Sequence, residues 1–320
     1  MKNKLIALLC VTAILFSLVA LPTLADTGTN TLGVVCRSGE SGLFGVTFDL
    51  YPVAAADLNG KWKLTDLFDD YPVDIEGYSA KTADELAQTL RGYVLLDGIQ
   101  ADRSVRSTAN GSCSFDGLTD GLSLLLGRKF SEVNATYTIQ PILVCLPYTD
   151  GNASEKQREI VCQPKTYASV NYRLTPEACP REETASVKVL KLWENEDDSH
   201  SKRPASVTAI LLRDGKPFDR VLLNADNGWS HIFSNLPCYD EEGVPYAWTV
   251  VETPVDSYRV STVATDDGFT VTNTCVTGGE REEPKLPQTG QLWWPVPILA
   301  GIGIICIAVG VIVTRRKPNA

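Results

Sequence analysis

Alternating apolar and polar residues along most of the chain predict β-strands. Val46, Phe48 and Leu50 occupy every second position, with Thr47 and Asp49 between them. A period of two is typical of a strand with one buried face. Further apolar segments follow, separated by stretches rich in Gly, Asp, Asn and Pro that favour turns. In this first part of the chain we predict strands over 114–118, 122–126, 137–145 and 159–162.

One segment departs from the β pattern. Thr82-Ala-Asp-Glu85 has the spacing of a capping box, in which the Thr and Glu side chains satisfy free amides at the start of a helix. Leu86, Leu90 and Val94 then follow at helical spacing. We therefore expect one helix inserted into a β domain that covers residues 26–178.

A second β unit is predicted over residues 184–276, after a linker at 179–183. Seven short strands between turn residues indicate an immunoglobulin-like sandwich. The segments 115–118 and 233–236, Phe-Asp-Gly-Leu and Phe-Ser-Asn-Leu, are similar and favour two versions of one sandwich. The predicted strands of the second unit cover 187–193, 206–212, 220–223, 229–233, 246–252, 258–263 and 269–274.

The N-terminal end has the pattern of a secretory signal peptide. Lys2 and Lys4 precede an apolar run over 5–21, and small residues follow at 23–25. The run is too short and wrongly flanked for a lasting membrane anchor. We assign residues 1–25 to the signal peptide.

The C-terminal end combines a short motif with an apolar segment. After an acidic stalk at 277–285, Leu286-Pro-Gln-Thr-Gly290 directly precedes an apolar segment, 292–313, that is long enough to cross a bilayer. Three basic residues, 315–317, follow it, as expected for a cytoplasmic end. Residues 286–320 thus resemble the cell-wall sorting signal of Gram-positive surface proteins.

This resemblance implies a location and two partners. Leu286, Pro287, Thr289 and Gly290 correspond to the sorting motif, which a sortase cuts between Thr289 and Gly290 before it joins the threonine to an amine of peptidoglycan. The span would then belong only to the precursor. We expect a secreted protein held covalently in the cell wall at the cell surface.

Charge and cysteine content restrict the function further. A net charge of −10 without a basic patch argues against nucleic-acid binding. Seven cysteines lie between the two terminal signals, so an oxidising compartment leaves at least one of them free, capped or intermolecular. No spacing resembles a zinc site, and we expect no metal and no cofactor. No hydrolase constellation or phosphate-binding loop indicates an enzyme.

Three polar residues of the second unit fall where alternation predicts the core. Period two directs Lys191, Glu252 and Asn273 into an apolar interior. Unpaired buried charges are costly, so these groups must pair, neutralise or react. Burial lowers the pKa of an amine and raises that of a carboxyl group, which makes a neutral, nucleophilic amine accessible.

Two outcomes follow for these three residues. A protonated Glu252 could hydrogen-bond the Asn273 carboxamide and make its carbon more electrophilic. Lys191 would then attack, ammonia would leave, and an amide would join the first and last strands of the unit. The alternative is an unreacted, buried Lys–Glu ion pair.

Several motifs of the second unit occur together in one family. They are Val-Leu-Lys191-Leu-Trp193, Lys202-Arg-Pro204, Asp226-Asn-Gly-Trp229, Phe233-Ser-Asn-Leu-Pro237, Trp248-Thr-Val-Val-Glu252 and Phe269-Thr-Val-Thr-Asn-Thr274. Together they resemble the B-type repeat of the collagen-adhesin (Cna) family. The resemblance implies an inverse immunoglobulin-like sandwich with an autocatalytic isopeptide bond, and it gives the lysine, acid and asparagine roles to Lys191, Glu252 and Asn273. Collagen binding does not follow from it.

The first unit has a looser likeness. Gly45-Val-Thr-Phe-Asp-Leu-Tyr-Pro-Val53, residues 115–118 and Ile160-Val-Cys-Gln-Pro-Lys165 resemble the first domain of sortase-assembled pilins. In such pilins a lysine accepts the threonine of the next subunit, and Lys165 is the matching position, although Gln163 replaces the usual tyrosine. The alternative is an ordinary solvated loop lysine.

The cysteines offer a staple for the first unit. Cys36 takes the place in its first strand that Lys191 has in the second unit, and Cys162 lies in its closing strand. Connectivity is not fixed by sequence. Candidate pairs are Cys36–Cys162, Cys113–Cys145 and Cys238–Cys275, with Cys179 left over.

These observations favour a pilin-type subunit of two β-sandwich domains, with sortase, peptidoglycan and other pilin subunits as partners. Its only chemistry would be one self-cross-link. The alternative is a monomeric adhesin that binds a host or matrix ligand through its N-terminal domain. A secreted enzyme is disfavoured because no acid–base or nucleophile constellation is present.

Overall fold

The chain folds into β-sheets with one long helix, as the alternation predicted. The computed structural model describes residues 29–56, 61–149, 156–180, 182–195 and 203–276. The predicted signal peptide, stalk, sorting motif and apolar span lie outside these residues. Among the described helices, none is long and apolar enough to cross a membrane.

The N-terminal half, residues 29–180, contains the helix and three main sheets. Their strand orders are β12-β1-β7, β13-β10-β9 and β11-β8-β4-β5, with β6 beside β4 and the small pair β2–β3. The elements are β1 (Asn30–Val35), β2 (Arg37–Ser38), β3 (Ser41–Gly42), β4 (Thr47–Ala56), β5 (Trp62–Leu64), α1 (Ala83–Asp97), β6 (Arg103–Arg106), β7 (Ser112–Leu118), β8 (Gly121–Gly127), β9 (Phe130–Ser131), β10 (Ala135–Ile139), β11 (Ile142–Leu146), β12 (Glu159–Cys162) and β13 (Thr166–Val170).

The C-terminal half, residues 182–276, is a sandwich of seven strands, and every predicted strand is present. A four-stranded sheet, β17-β14-β20-β19, packs on a three-stranded sheet, β16-β15-β18. A short 3₁₀ turn, Pro176–Ala178, precedes it. The strands are β14 (Thr184–Glu194), β15 (Ser206–Arg213), β16 (Lys216–Asn224), β17 (Ser230–Pro237), β18 (Trp248–Glu252), β19 (Tyr258–Thr265) and β20 (Gly268–Cys275).

The two halves share one arrangement around their first strands. β1 lies between β12, which is parallel to it, and β7, which is antiparallel. β14 likewise lies between parallel β20 and antiparallel β17. Gly117 and Asn235 have the same left-handed backbone, with φ of 68° and 57°. The similarity of residues 115–118 and 233–236 thus reflects equivalent positions in the fold.

Two local predictions were wrong. The strand predicted over 137–145 is two strands, β10 and β11, because Pro141 between them has no amide to donate to a ladder. The helix begins after Thr82 as predicted, but the capping box does not form. The Thr82 hydroxyl donates instead to the Gly77 carbonyl, at 3.1 Å, and makes no capping bond to the helix.

Helix α1 joins the two halves. It packs against β18 and β19, the outer strands of the two sheets of the sandwich. Thr262 N–H on β19 donates to the Thr89 hydroxyl at 2.8 Å, and Val260 N–H donates to the Pro72 carbonyl at 2.7 Å. These bonds satisfy a sheet edge, and apolar residues of both halves form one core. The described residues between 29 and 276 therefore belong to one compact unit. The predicted linker at 179–183 marks a change of sheet within that unit.

Candidate cross-linking site

Three strands bring Lys191, Glu252 and Asn273 together inside the sandwich. Lys191 lies on β14 and Asn273 on the adjacent parallel strand β20, where Lys191 pairs with Val271 and Trp193 with Asn273. Glu252 comes from β18 in the opposite sheet. Lys191, Glu252 and Asn273 are 2%, 3% and 1% exposed. Alternation therefore predicted correctly which side chains enter the core.

The Glu252 carboxyl group lies between the other two side chains. Its Oε2 is 3.4 Å from Lys191 Nζ, and its Oε1 accepts a 2.6 Å hydrogen bond from Asn273 Nδ2. Lys191 Nζ also donates to the carbonyls of Leu192 and Val271, at 3.1 and 3.3 Å. One carboxyl group thus contacts both the potential nucleophile and the nitrogen that would leave.

The surroundings favour the neutral form of the acid. Burial raises the pKa of Glu252, and this effect outweighs the opposing influence of Lys191 and the Asn273 hydrogen bond. Within the described part of the chain, Asn273 Oδ1 has no hydrogen-bond partner. A polar atom left in this state in a dry interior is costly.

Aromatic rings cover the amine. The Trp193 ring centroid is 4.5 Å from Lys191 Nζ, and Trp229 and Tyr258 contact the Trp193 ring edge-on at 5.1 and 5.0 Å. Motif comparison had included both tryptophans without giving them a role. These rings exclude water from one side of the site.

Helix α1 of the N-terminal half covers a further side. Tyr93 is 2% exposed, and burial, followed by the charge of nearby Glu252, raises its pKa. One residue earlier, a Cβ on Gly92 would lie only 2.9 Å from Val251 Cγ2. Sequence reasoning missed this contact, although a glycine inside a helix is a signal of close packing. The site is therefore completed by both halves.

Comparison with known proteins matches one part of the chain to a domain family. Residues 187–274 match the Cna protein B-type domain. The C-terminal half is therefore a Cna B-type domain. Over 148 residues, 46% of this chain, the sequence is 33% identical to the collagen adhesin of Staphylococcus aureus, and the match covers 11% of that protein.

Two solved structures were also matched. Two B repeat units of the S. aureus collagen binding protein cover 78% of this chain and 50% of their own, with 17% identity and a TM-score of 0.27. The shaft pilin SpaA of Lactobacillus rhamnosus GG covers 79% of this chain and 100% of its own, with 11% identity and a TM-score of 0.26. These superpositions are loose, so the assignment of the C-terminal half depends on the family match.

Lys165 lies apart from the cross-linking site. It is exposed in the loop between β12 and β13, after the buried Pro164, and its carbonyl accepts a hydrogen bond from Gln140 N–H at 2.9 Å. A fixed backbone and an exposed side chain are what an acceptor lysine requires, and an ordinary loop lysine has them too.

The predicted disulfides do not form in the structure, where all seven described cysteines are free thiols. Cys238 directly follows Pro237, which pairs with Thr184 at the start of β14. Cys275 directly follows Thr274, which pairs with Glu194 at the end of β14. About 30 Å of extended strand separates them, which excludes this pair.

Of the other two predicted pairs, Cys36 and Cys162 share one core cluster, where Cys162 pairs in register with Val34, but their thiols are not bonded. Cys113 and Cys145 pack against different core clusters. Cys36 Sγ instead lies 3.8 Å from the Thr166 hydroxyl. Among the described residues no group of three or more His, Cys, Asp or Glu side chains is placed to hold a metal ion.

Proposed function

We propose that this chain is a secreted, wall-anchored surface protein of the pilin type whose C-terminal half carries a Lys191–Asn273 isopeptide bond. The observation that supports it is the buried contact of an amine and a carboxamide on the adjacent strands β14 and β20 with a carboxyl group on β18 of the facing sheet. No turnover is implied, since each chain would react once with itself.

The geometry favours Glu252 as a proton carrier. Lys191 transfers a proton to Glu252, and its neutral amine attacks Cγ of Asn273. The protonated carboxyl group, which lies within hydrogen-bond distance of Nδ2, then gives a proton to that nitrogen, which leaves as ammonia. The products are a secondary amide and one ammonia, and the carboxyl group recovers its proton from the attacking nitrogen. Fixed strands hold the reactants together and supply the effective concentration for the step.

Intact mass tests the cross-link. The fragment should contain residues 29–276, because α1 completes the site. After thiol reduction the wild-type mass is expected about 17 Da, one ammonia, below the sequence value. Lys191→Met and Glu252→Gln should show the full mass. Lys188→Met is the matched control, since Lys188 lies on the same strand but pairs at the surface with Asp267. A full mass for the wild-type protein would leave an ion pair and refute the cross-link.

Wall anchoring and polymerisation are tested on cells. We expect Thr289→Ala to release the protein from the wall fraction. Lys165→Ala should abolish a high-mass ladder in denaturing gels of wall extracts, while the nearby exposed Lys156→Ala should preserve it. Sortase, peptidoglycan and further subunits are the partners in this proposal.

A monomeric adhesin is the second candidate. The identity with a collagen adhesin favours it, with the N-terminal half binding a host or matrix ligand and the Cna B-type domain acting as a spacer. A single wall-linked band that is unchanged by Lys165→Ala would support this candidate over the pilin.

A further inference from the structure

A cleft of about 370 Å³ lies beside α1, away from the cross-linking site. Both halves line it: Arg91, Val94 and Leu95 from α1, Leu126 from β8, and Asp214 and Gly215 from the β15–β16 turn. Its volume falls in the range of small-molecule sites. The apolar side chains of α1 and β8 form walls that suit an aliphatic group.

The charges in this cleft do not balance. Asp49 is held by the Arg128 guanidinium through two bonds of 2.6 and 3.0 Å. Asp214 is held by Lys129 Nζ at 2.7 Å. These two ion pairs use both acidic side chains of the cleft. Arg91 is the remaining basic side chain, and within the described residues it has no hydrogen bond or ion pair.

An uncompensated guanidinium in a confined cleft is unusual. Burial lowers the pKa of Arg91, and no neighbouring carboxylate opposes this effect. Partial desolvation of a cation is costly unless an anion approaches it. The planar guanidinium donates in a fork that matches the two oxygens of a carboxylate.

We propose that this cleft binds a carboxylate carried on a short aliphatic body, with Arg91 as the anion-binding residue. The carboxylate pairs with the guanidinium, and the aliphatic body lies against Val94, Leu95 and Leu126. The ligand contacts both halves of the unit. This site is independent of the cross-link and of wall anchoring.

NMR titration of residues 29–276 tests the site. The probes are 4-methylpentanoate, which represents a free acid, and N-acetyl-leucine, which represents a peptide C-terminus, each titrated to about 20 mM. N-acetyl-leucinamide has the same body without the charge. We expect at least one of the two carboxylates to shift the backbone amide signals of Gly98, Gly127 and Gly215 saturably. The uncharged N-acetyl-leucinamide should leave these signals in place.

Variants of Arg91 complete the test. Arg91→Met should weaken carboxylate binding about tenfold or more, since a charged hydrogen-bonded pair is lost. The exposed Arg220→Met should bind as the wild type does. Tighter binding of one probe assigns the site to free acids or to peptide ends. Absence of saturable shifts, equal shifts with the amide compound, or unchanged affinity in Arg91→Met would overturn the proposal. If Arg91→Met fails to fold, the wild-type carboxylate–amide comparison decides.

Discussion

Replacing Lys191 by Met would remove the nucleophile and keep a long, unbranched side chain in the core. The cross-linked form that we propose would contain a neutral amide beside a neutral Glu252, so the variant would lose no buried ion pair when compared with it. The main difference is the covalent loop from residue 191 to residue 273.

The size of that loop sets the expected effect. A link that closes about 80 residues removes roughly 4–5 kcal/mol of chain entropy from the unfolded state, by the relation used for disulfides. In a unit of this length each 1 kcal/mol shifts Tm by about 2–4 °C. We therefore expect Lys191→Met to lower Tm by about 10–15 °C.

Calorimetry on residues 29–276, with the mass of each sample measured in parallel, checks this value. Lys188→Met should keep both the cross-link and the wild-type Tm. Suppose that the wild-type protein is one ammonia lighter than its sequence mass, that Lys191→Met has its full sequence mass, and that the two Tm values agree within about 3 °C. The reasoning that the link restrains the unfolded chain is then refuted.

Three further predictions concern the same unit. In Lys191→Met, Glu252 keeps a raised pKa, so the folded state binds more protons than the unfolded state. The free energy of unfolding should therefore fall by up to about 1.4 kcal/mol per pH unit as pH rises from the unfolded pKa of Glu252 through its folded pKa. Urea titrations measure this slope, and adding Glu252→Gln should remove it. Gly92→Ala should cost about 1–2 kcal/mol, because its clash with the stiff Val251 side chain exceeds the gain in helix propensity. Val251→Ala should relieve the clash, and additive effects in the double mutant would contradict packing between the halves. Arg259→Met, which removes the partly exposed ion pairs of Arg259 with Asp74 and Glu76 between the halves, should cost about 1 kcal/mol in urea titrations.

Local patterns predicted much of the fold. Period-two alternation was enough for all seven strands of the C-terminal half and for the inward direction of Lys191, Glu252 and Asn273, because the direction of a side chain on a strand depends only on its position. The helix was predicted from the spacing of its apolar residues. The break between β10 and β11 could also have been predicted, since Pro141 cannot donate to a ladder.

Tertiary contacts were not accessible in the same way. The apolar face of α1 shows that it packs against something, but no local rule names β18 and β19 as its partners. The wrong prediction of a Cys238–Cys275 disulfide has the same cause, because the distance between two strand ends depends on the register of the strands. The packing role of Gly92 and the unpaired state of Arg91 can be recognised only from the contacts between the two halves.

The position of α1 also determines the order in which the unit can fold during synthesis. The helix is complete by Asp97, but β18 begins at Trp248, about 150 residues later in the chain. A chain that emerges N-terminus first leaves the face of α1 around Thr89 and Gly92, which contacts β19 and β18, uncovered throughout that interval, and incompletely packed surfaces promote aggregation. Early chains must therefore be kept apart or protected until β19 has emerged. A chain that terminates between α1 and β18 would never cover this face.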